Sequence, residues 1–200
     1  MFTYIGGTMQ KRDTAVIVLH EIYGINEHIK NVCKLFESQG FDAICPNFIE
    51  KNSPFSYEEE EIAYRHFMIN IGFKKAANQM KRLVLNVKEK YKKVYLVGFS
   101  VGATIAWKCS DDRSVDGVVG FYGSRIRDFL EIEPTCPVML FFPEKEDSFH
   151  VDDLVTSLQK KNIEVYQLTG NHGFTDPYSP NFQKQSAQQA YKKVSDFLRQ

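Results

Sequence analysis

One serine between two glycines is the residue of this chain best suited to nucleophilic chemistry. It lies in Gly98-Phe99-Ser100-Val101-Gly102, between a β-branched run and a stretch of small residues. A serine hydroxyl attacks a carbonyl only when a neighbouring base removes its proton. Glycines on both sides let a strand turn sharply into a helix, which presents the Ser100 hydroxyl at the end of a sheet. The N–H of Val101 then points to where an oxyanion would form.

A histidine and two acids are the candidates for the rest of such a site. His172 lies in Gly170-Asn171-His172-Gly173-Phe174, after a predicted strand, and Glu146 and Asp147 follow an earlier one. The order serine, acid, histidine is typical of hydrolases with their nucleophile on a strand-to-helix turn. The imidazole would accept the serine proton, and the acid would orient the ring. The sequence leaves open which acid faces inward, and we favour Asp147 because the shorter carboxylate is the commoner partner.

Alternating strands and helices must position these residues. The predicted strands are 14–19, 41–45, 94–97, 116–121, 137–142 and 163–168, and the predicted helices are 27–39, 58–91 with a break near Ile71-Gly72, 103–107, 151–160 and 182–198. This alternation predicts an α/β fold with a mostly parallel sheet and helices on both faces. We expect one domain over residues 1–200, without room for a large cap.

Composition excludes several functional classes. The chain has 200 residues and a formal net charge of +0, so nothing favours nucleic-acid binding. Residues 1–5 lack the charged and apolar segments of a signal peptide, and no apolar run reaches the about 18 residues of a membrane helix. We therefore expect a cytoplasmic protein without a membrane partner. The acidic run 58–61 is interpreted as the solvated first turn of a helix.

Cysteine and histidine spacing gives no reason to expect a metal or another cofactor. The four cysteines, Cys33, Cys45, Cys109 and Cys136, lie far apart and are interpreted as reduced core residues. His20 ends a predicted strand near the serine and could line the site. The other three histidines, His28, His66 and His150, are expected to be solvated.

Four segments, in this order, resemble the dienelactone hydrolase family of α/β-hydrolases. They are Leu19-His20-Glu21-Ile22-Tyr23-Gly24-Ile25-Asn26, the serine motif, Glu144-Lys145-Glu146-Asp147-Ser148-Phe149 and the His172 motif. The resemblance implies a single-domain α/β-hydrolase fold and a serine carboxylesterase. It also implies that the N–H of Ile22 is a second oxyanion donor beside that of Val101. It places Glu21 next to the nucleophile, where this carboxylate either takes part in the site or only hydrogen-bonds its loop.

Two residues depart from that family. Its namesake enzymes use a cysteine nucleophile, whereas this chain has Ser100. The resemblance leads us to expect an arginine four residues after His172, where this chain has Asp176. An acid there would repel an anionic substrate, and Arg125 and Arg65 could either replace the arginine or be ordinary surface residues. A small carboxylic ester or lactone is therefore the predicted substrate, and the acidic lactone of the namesake reaction is disfavoured.

Aromatic residues beside the motifs are the predicted pocket. We expect Tyr23, Tyr122 and Phe174 to line it with Glu21, ahead of Phe48, Phe55 and Tyr178. The partner is then a small molecule, for a monomer or small homo-oligomer. Two other readings stand beside the esterase: a catalytically silent hydrolase fold that binds a small ligand, and an interaction protein that docks through the long helical region before the serine.

Overall fold

A seven-stranded sheet forms the centre of the protein. The structure, a computed structural model, describes residues 3–4, 12–147, 149–161 and 163–200. The strands are β1 (Thr3–Tyr4), β2 (Thr14–Leu19), β3 (Asp42–Cys45), β4 (Lys93–Phe99), β5 (Gly117–Phe121), β6 (Val138–Pro143) and β7 (Glu164–Leu168). Their order is β1-β3-β2-β4-β5-β6-β7. Strands β2 to β7 run parallel, and β1 pairs antiparallel with β3, which confirms the mostly parallel sheet.

Apolar side chains on both faces hold this sheet between two helical layers. In β2, Ala15, Ile17 and Leu19 contribute to one buried cluster, and Val16 and Val18 contribute to the other. All five are 0% exposed. A parallel sheet covered on both faces needs such continuous apolar strands, because alternate side chains point to opposite layers.

Six α-helices surround the sheet in the described part of the chain. They are α1 (Glu27–Ser38), α2 (Glu60–His66), α3 (Gly72–Lys88), α4 (Val101–Lys108), α5 (Val151–Gln159) and α6 (Lys184–Phe197). Helices α1 and α6 pack on one face, and α3, α4 and α5 pack on the other. The predicted break near Ile71-Gly72 is confirmed: a π-helical turn, Phe67–Ile71, ends at Gly72, whose φ of +68° suits glycine.

The loop between β3 and α2 crosses the carboxyl edge of the sheet. The Phe55 N–H donates to the Tyr23 carbonyl, 2.8 Å away, and so ties this loop to the one after β2. Tyr57 and Glu60, which follow, are thereby brought over the ends of the parallel strands. In α/β sheets this edge is where ligands bind.

Two sequence predictions concern the first residues of the chain. The two-residue strand β1 was missed, because a strand this short has no periodicity to detect. The expectation that residues 1–5 are not a signal peptide falls largely outside the described residues, since only Thr3 and Tyr4 are described there. Within the described residues, no helix is both long and apolar enough to cross a membrane.

Candidate active site

Ser100 occupies a strained turn between β4 and α4. Its φ of +52° and ψ of −115° lie outside the regions that non-glycine residues favour, at a cost of about 1–3 kcal/mol. A Cβ at Gly98 would come within 2.2 Å of the Gly102 carbonyl oxygen, and one at Gly102 within 2.2 Å of the Leu19 oxygen. Both glycines are therefore required for the close approach of β4, α4 and β2.

His172 links Ser100 to a carboxylate. Its Nε2 lies 2.9 Å from the Ser100 Oγ, and its Nδ1 lies 2.7 Å from the Glu146 Oε1. Since a carboxylate accepts only, the proton on the ring belongs on Nδ1, which leaves Nε2 free to accept from the serine hydroxyl. The Asn181 amide donates to the His172 carbonyl, 2.9 Å away, and holds the loop. This arrangement can deprotonate Ser100 and stabilise the resulting imidazolium.

The preference for Asp147 as the partner of His172 was wrong. The Glu146 side chain is only 7% exposed and points to the imidazole, whereas Asp147 is exposed at the rim of the same cavity. The two residues follow β6 in irregular backbone, where the alternation of a strand no longer decides which side chain faces inward. The longer glutamate then spans the distance to the ring.

The charges around His172 favour its protonated form. Burial alone would lower the pKa of His172, but the hydrogen bond and negative charge of Glu146 oppose this. The charges of Glu21 and Glu60 act in the same direction, and the net result is a pKa raised above 6.5. A more basic imidazole is a stronger proton acceptor, so the acids make His172 a better base for Ser100.

Glu21 is a buried carboxyl group in the wall of the same cavity. It is 4% exposed, and burial, with the nearby charge of Asp176, raises its pKa to about 7. His172 and a hydrogen bond from Tyr122 act in the opposite direction. Near neutral pH the group therefore exists in both protonation states. Both roles considered for Glu21, in the site or for its loop, agree with this position.

A cavity of about 680 Å³ surrounds the Ser100 hydroxyl. Ile22 and Val101 both line it. Val101 is the first residue of α4, so its N–H has no acceptor within the helix. The Ile22 N–H likewise donates to no acceptor in the part of the chain that the structure describes. Two main-chain donors are thus free beside the hydroxyl, an arrangement that can hold an oxyanion.

Half of the predicted pocket residues line this cavity. Glu21 and Tyr23 do, but the prediction for Tyr122 and Phe174 was wrong, because both are 0% exposed. The Tyr122 ring packs beneath His172, with ring centres 4.9 Å apart, and meets Phe174 at 5.6 Å. Position beside a motif does not distinguish an aromatic that lines a cavity from one that supports its floor.

Three residues between β3 and α3 line the cavity without having been predicted to do so. They are Tyr57, Glu60 and Tyr64. The acidic run 58–61 is a largely exposed helix start, as interpreted, but its Glu60 also borders the site. The Ser56 N–H donates to the Glu59 Oε2 at 2.8 Å, in a capping box that starts the helical segment here. The Ser-x-x-Glu pattern could have located this turn in the sequence, but not its position over the site.

The remaining histidines do not form part of the cavity. His20 stacks on Phe48, its Nδ1 lies 2.6 Å from the Glu21 carbonyl, and burial lowers its pKa to about 4. His28 was expected to be solvated, but it is 1% exposed because it lies on the inner face of α1. Its Nδ1 is 3.8 Å from the Asp176 Oδ1, and burial lowers its pKa to about 4. His66 is half-buried, and His150 is exposed.

Neither a metal site nor a disulfide is found among the described residues. Within those residues, no group of three or more His, Cys, Asp or Glu side chains could hold a metal ion. Cys33, Cys45 and Cys109 are buried, as predicted for core residues, whereas Cys136 is partly exposed.

Several known proteins are similar to this chain in sequence or in structure. The Bacillus subtilis protein YczH, which is uncharacterized, is 40% identical over 172 residues, which are 84% of each chain. Carboxymethylenebutenolidase 1 of Cupriavidus pinatubonensis is 22% identical over 214 residues, covering 98% of this chain and 89% of that protein. A solved structure from Klebsiella pneumoniae, named as a candidate dienelactone hydrolase, matches with a TM-score of 0.81 at 17% identity, over 100% of this chain and 91% of that one.

The match to a protein family extends over the whole sequence. Residues 1–200 match the dienelactone hydrolase family, and the solved relatives share the α/β fold of the hydrolases. The protein therefore belongs to the dienelactone hydrolase family of α/β-hydrolases.

Proposed function

We propose that this protein is a serine hydrolase that cleaves a small carboxylic ester or lactone through an acyl-enzyme on Ser100. The observation that carries the proposal is the continuous hydrogen-bonded chain from the Ser100 Oγ to His172, 2.9 Å, and from His172 to Glu146, 2.7 Å. Family membership supports hydrolysis, and the name of the Cupriavidus relative supports a lactone or ester as the substrate.

The first half of the reaction forms the acyl-enzyme. The His172 Nε2 takes the proton of the Ser100 hydroxyl as Oγ attacks the substrate carbonyl carbon. The carbonyl oxygen becomes an oxyanion, held by the N–H groups of Ile22 and Val101. Glu146 stabilises the imidazolium. When the tetrahedral intermediate collapses, the C–O bond to the alcohol breaks and His172 gives its proton to the leaving oxygen.

The second half releases the acid. His172, again neutral, takes a proton from a water molecule whose oxygen attacks the acyl carbon. The bond to the Ser100 Oγ then breaks, and the imidazolium returns a proton to the serine. For a lactone, the alcohol and acid remain parts of one ring-opened product. Asp147, at the rim, has no role in either proton transfer.

A fluorophosphonate probe tests this proposal, because it reacts with serines that a neighbouring base activates. We expect one adduct, mapped to Ser100 by peptide mass spectrometry, and its loss in Ser100→Ala and His172→Ala. His150→Ala, which alters an exposed histidine away from the cavity, is the matched control and should be labelled like the wild type. Folded protein without an adduct on Ser100 would contradict the proposal and favour a silent ligand-binding module.

A further inference from the structure

The cavity around Ser100 is more acidic than basic. Its acidic residues are Glu21, Glu60, Glu146, Asp147 and Asp176, and its arginines are Arg125 and Arg127. The Glu146 carboxylate accepts a hydrogen bond from His172, and the Asp176 carboxylate accepts one from the Tyr57 hydroxyl. Glu60 differs from both, because it is exposed and forms no ion pair with any residue that the structure describes. Its carboxylate is thus available to a ligand.

Both arginines already have partners. The Arg125 Nη1 lies 3.1 Å from the Asp128 Oδ2, and its Nη2 donates to the Tyr64 hydroxyl at 3.1 Å. The Arg127 guanidinium lies 4.7 Å from the centre of the Phe149 ring. The Arg127 Nε also lies 3.9 Å from the Asp128 Oδ1, so one carboxylate offsets part of the charge of both arginines. Five acids line the cavity with only these two arginines, so the cavity has an excess of negative charge.

Aromatic rings accompany the free carboxylate. Tyr23 and Tyr57 line the cavity and meet edge to face, with ring centres 4.9 Å apart. Glu60 lines the same cavity as these rings, and its charge adds to burial in raising the pKa of both Tyr23 and Glu21. An electron-rich ring attracts a cation that lies over its face, and the attraction grows where water is excluded. Carboxylates beside phenol rings form a surface that favours an ammonium group over a carboxylate.

We infer that the substrate of this site is an ester whose alcohol or acyl part carries an alkylammonium group, held between Glu60, Tyr23 and Tyr57 while its carbonyl lies at Ser100. The inference rests on the proposed function and adds the charge of the substrate. Asp176 lines the same cavity, and Glu21 adds negative charge to it when ionised. The same negative charge repels an anionic ester.

A pair of esters of equal shape tests the inference. They are 2-(trimethylammonio)ethyl acetate and 3,3-dimethylbutyl acetate, in which a carbon replaces the charged nitrogen. We expect kcat/KM to be about 10-fold higher for the ammonium ester, as one cation–π contact and one partly exposed ion pair allow. The preference should fall in high salt, because salt screens the charges. The analogue with a carboxylate in place of one terminal methyl group should be the poorest substrate.

Two glutamine substitutions test whether Glu60 causes the preference for the ammonium ester. Glu60→Gln should lower the ratio of the two kcat/KM values to about 3-fold or less. Glu61→Gln is the matched control: it removes the same charge from the same helical turn but does not line the cavity. It should retain the full ratio. A loss of equal size in both variants would show a general effect of net charge and overturn the inference.

A second readout does not depend on turnover. Choline should slow the labelling of Ser100 by the fluorophosphonate probe more than 3,3-dimethylbutan-1-ol does. Equal effects of the two alcohols, together with equal hydrolysis of the two esters, would overturn the inference and leave the esterase intact. Preference for the carboxylate analogue would also overturn it, since Arg125 and Arg127 would then dominate. Absence of any labelling of Ser100 would instead overturn the proposed function, and this inference with it.

Discussion

Two histidines in this molecule each lie beside a carboxylate, yet only one of them is placed to act as a base. His172 has its Nδ1 2.7 Å from Glu146, and its side chain is 38% exposed toward the cavity. His28 has its Nδ1 3.8 Å from Asp176, and it is 1% exposed. The pKa of His172 is raised, whereas that of His28 is lowered to about 4, burial being the main cause.

The comparison shows that an acid near a histidine is not sufficient for catalysis. At 2.7 Å the carboxylate accepts a hydrogen bond and stabilises the charged ring, which offsets the cost of burial at His172. At 3.8 Å no such bond forms, and desolvation keeps His28 neutral. The first pair can accept and return a proton near neutral pH, while the second contributes packing between α1 and the loop after β7.

The largest expected effect is the difference in ester hydrolysis between a variant of His172 and a variant of His28. His172→Ala should lower ester hydrolysis by about 10⁴-fold, since the base of a serine triad is removed. His28→Asn should lower it far less at a temperature where the variant is folded, because His28 touches neither Ser100 nor His172. Steady-state kinetics with a 4-nitrophenyl ester measures both. Equal losses in the two folded variants would remove the distinction between the pairs.

Acid stability should depend on the buried pair. The unfolded chain binds a proton at His28 near pH 6.5, and the folded protein binds it only near pH 4. The free energy of unfolding should therefore fall as the pH drops from 6.5 through 4, by up to about 3 kcal/mol from this group. His20, whose pKa is lowered similarly, adds a comparable amount.

Denaturant titrations across this pH range measure the effect. His28→Asn should be less stable at neutral pH but should lose about half of the slope of stability against pH. A variant that keeps the slope of the wild type would show that His28 becomes charged in the folded protein, in conflict with its burial.

Glu21 should produce a pH dependence of the opposite sign. Its pKa is raised from 4.5 to about 7 in the folded protein, so ionisation is disfavoured there relative to the unfolded chain. Stability from this group is present below pH 4.5 and is lost as the pH rises through 7, by up to about 3 kcal/mol. Glu21→Gln should thus unfold at higher denaturant than the wild type at pH 8, and no gain there would contradict the assigned shift.

The smallest expected effect is a shift in the pH–rate profile. Hydrolysis requires neutral His172, so kcat/KM should rise with pH through a midpoint above 6.5. Glu60→Gln removes one of the charges that raise this pKa and should move the midpoint down by a fraction of a unit. Glu61→Gln should move it less, and the reverse order would mean that Glu60 does not act on His172.

Much of this architecture could be predicted from the sequence. Continuous apolar runs located the six parallel strands, because strands buried on both faces read as such runs. The Ser100 turn was recognisable because a glycine stands two residues before the serine and another two residues after it. In the structure, a Cβ at Gly98 or at Gly102 would clash with backbone atoms. His172 followed from chain order, since successive parallel strands end at the same edge of the sheet.

The parts that were missed depend on tertiary contacts. The irregular backbone after β6 determines that Glu146, and not Asp147, faces His172. The position of Tyr57 and Glu60 over the cavity is set by the contact of Phe55 with Tyr23, residues 32 positions apart. No local pattern encodes either, so the sequence indicated the catalytic chemistry better than the wall that would select a substrate.

In the proposed mechanism, Glu146 activates Ser100 through His172. The most direct test compares the rates at which fluorophosphonate labels Ser100 in Glu146→Gln and in Asp147→Asn. These adjacent substitutions each remove one carboxylate of the same loop, and both acids border the cavity. We predict a loss of about 100-fold or more in Glu146→Gln and less than a few-fold change in Asp147→Asn. The opposite order, or equal small losses, would contradict the account.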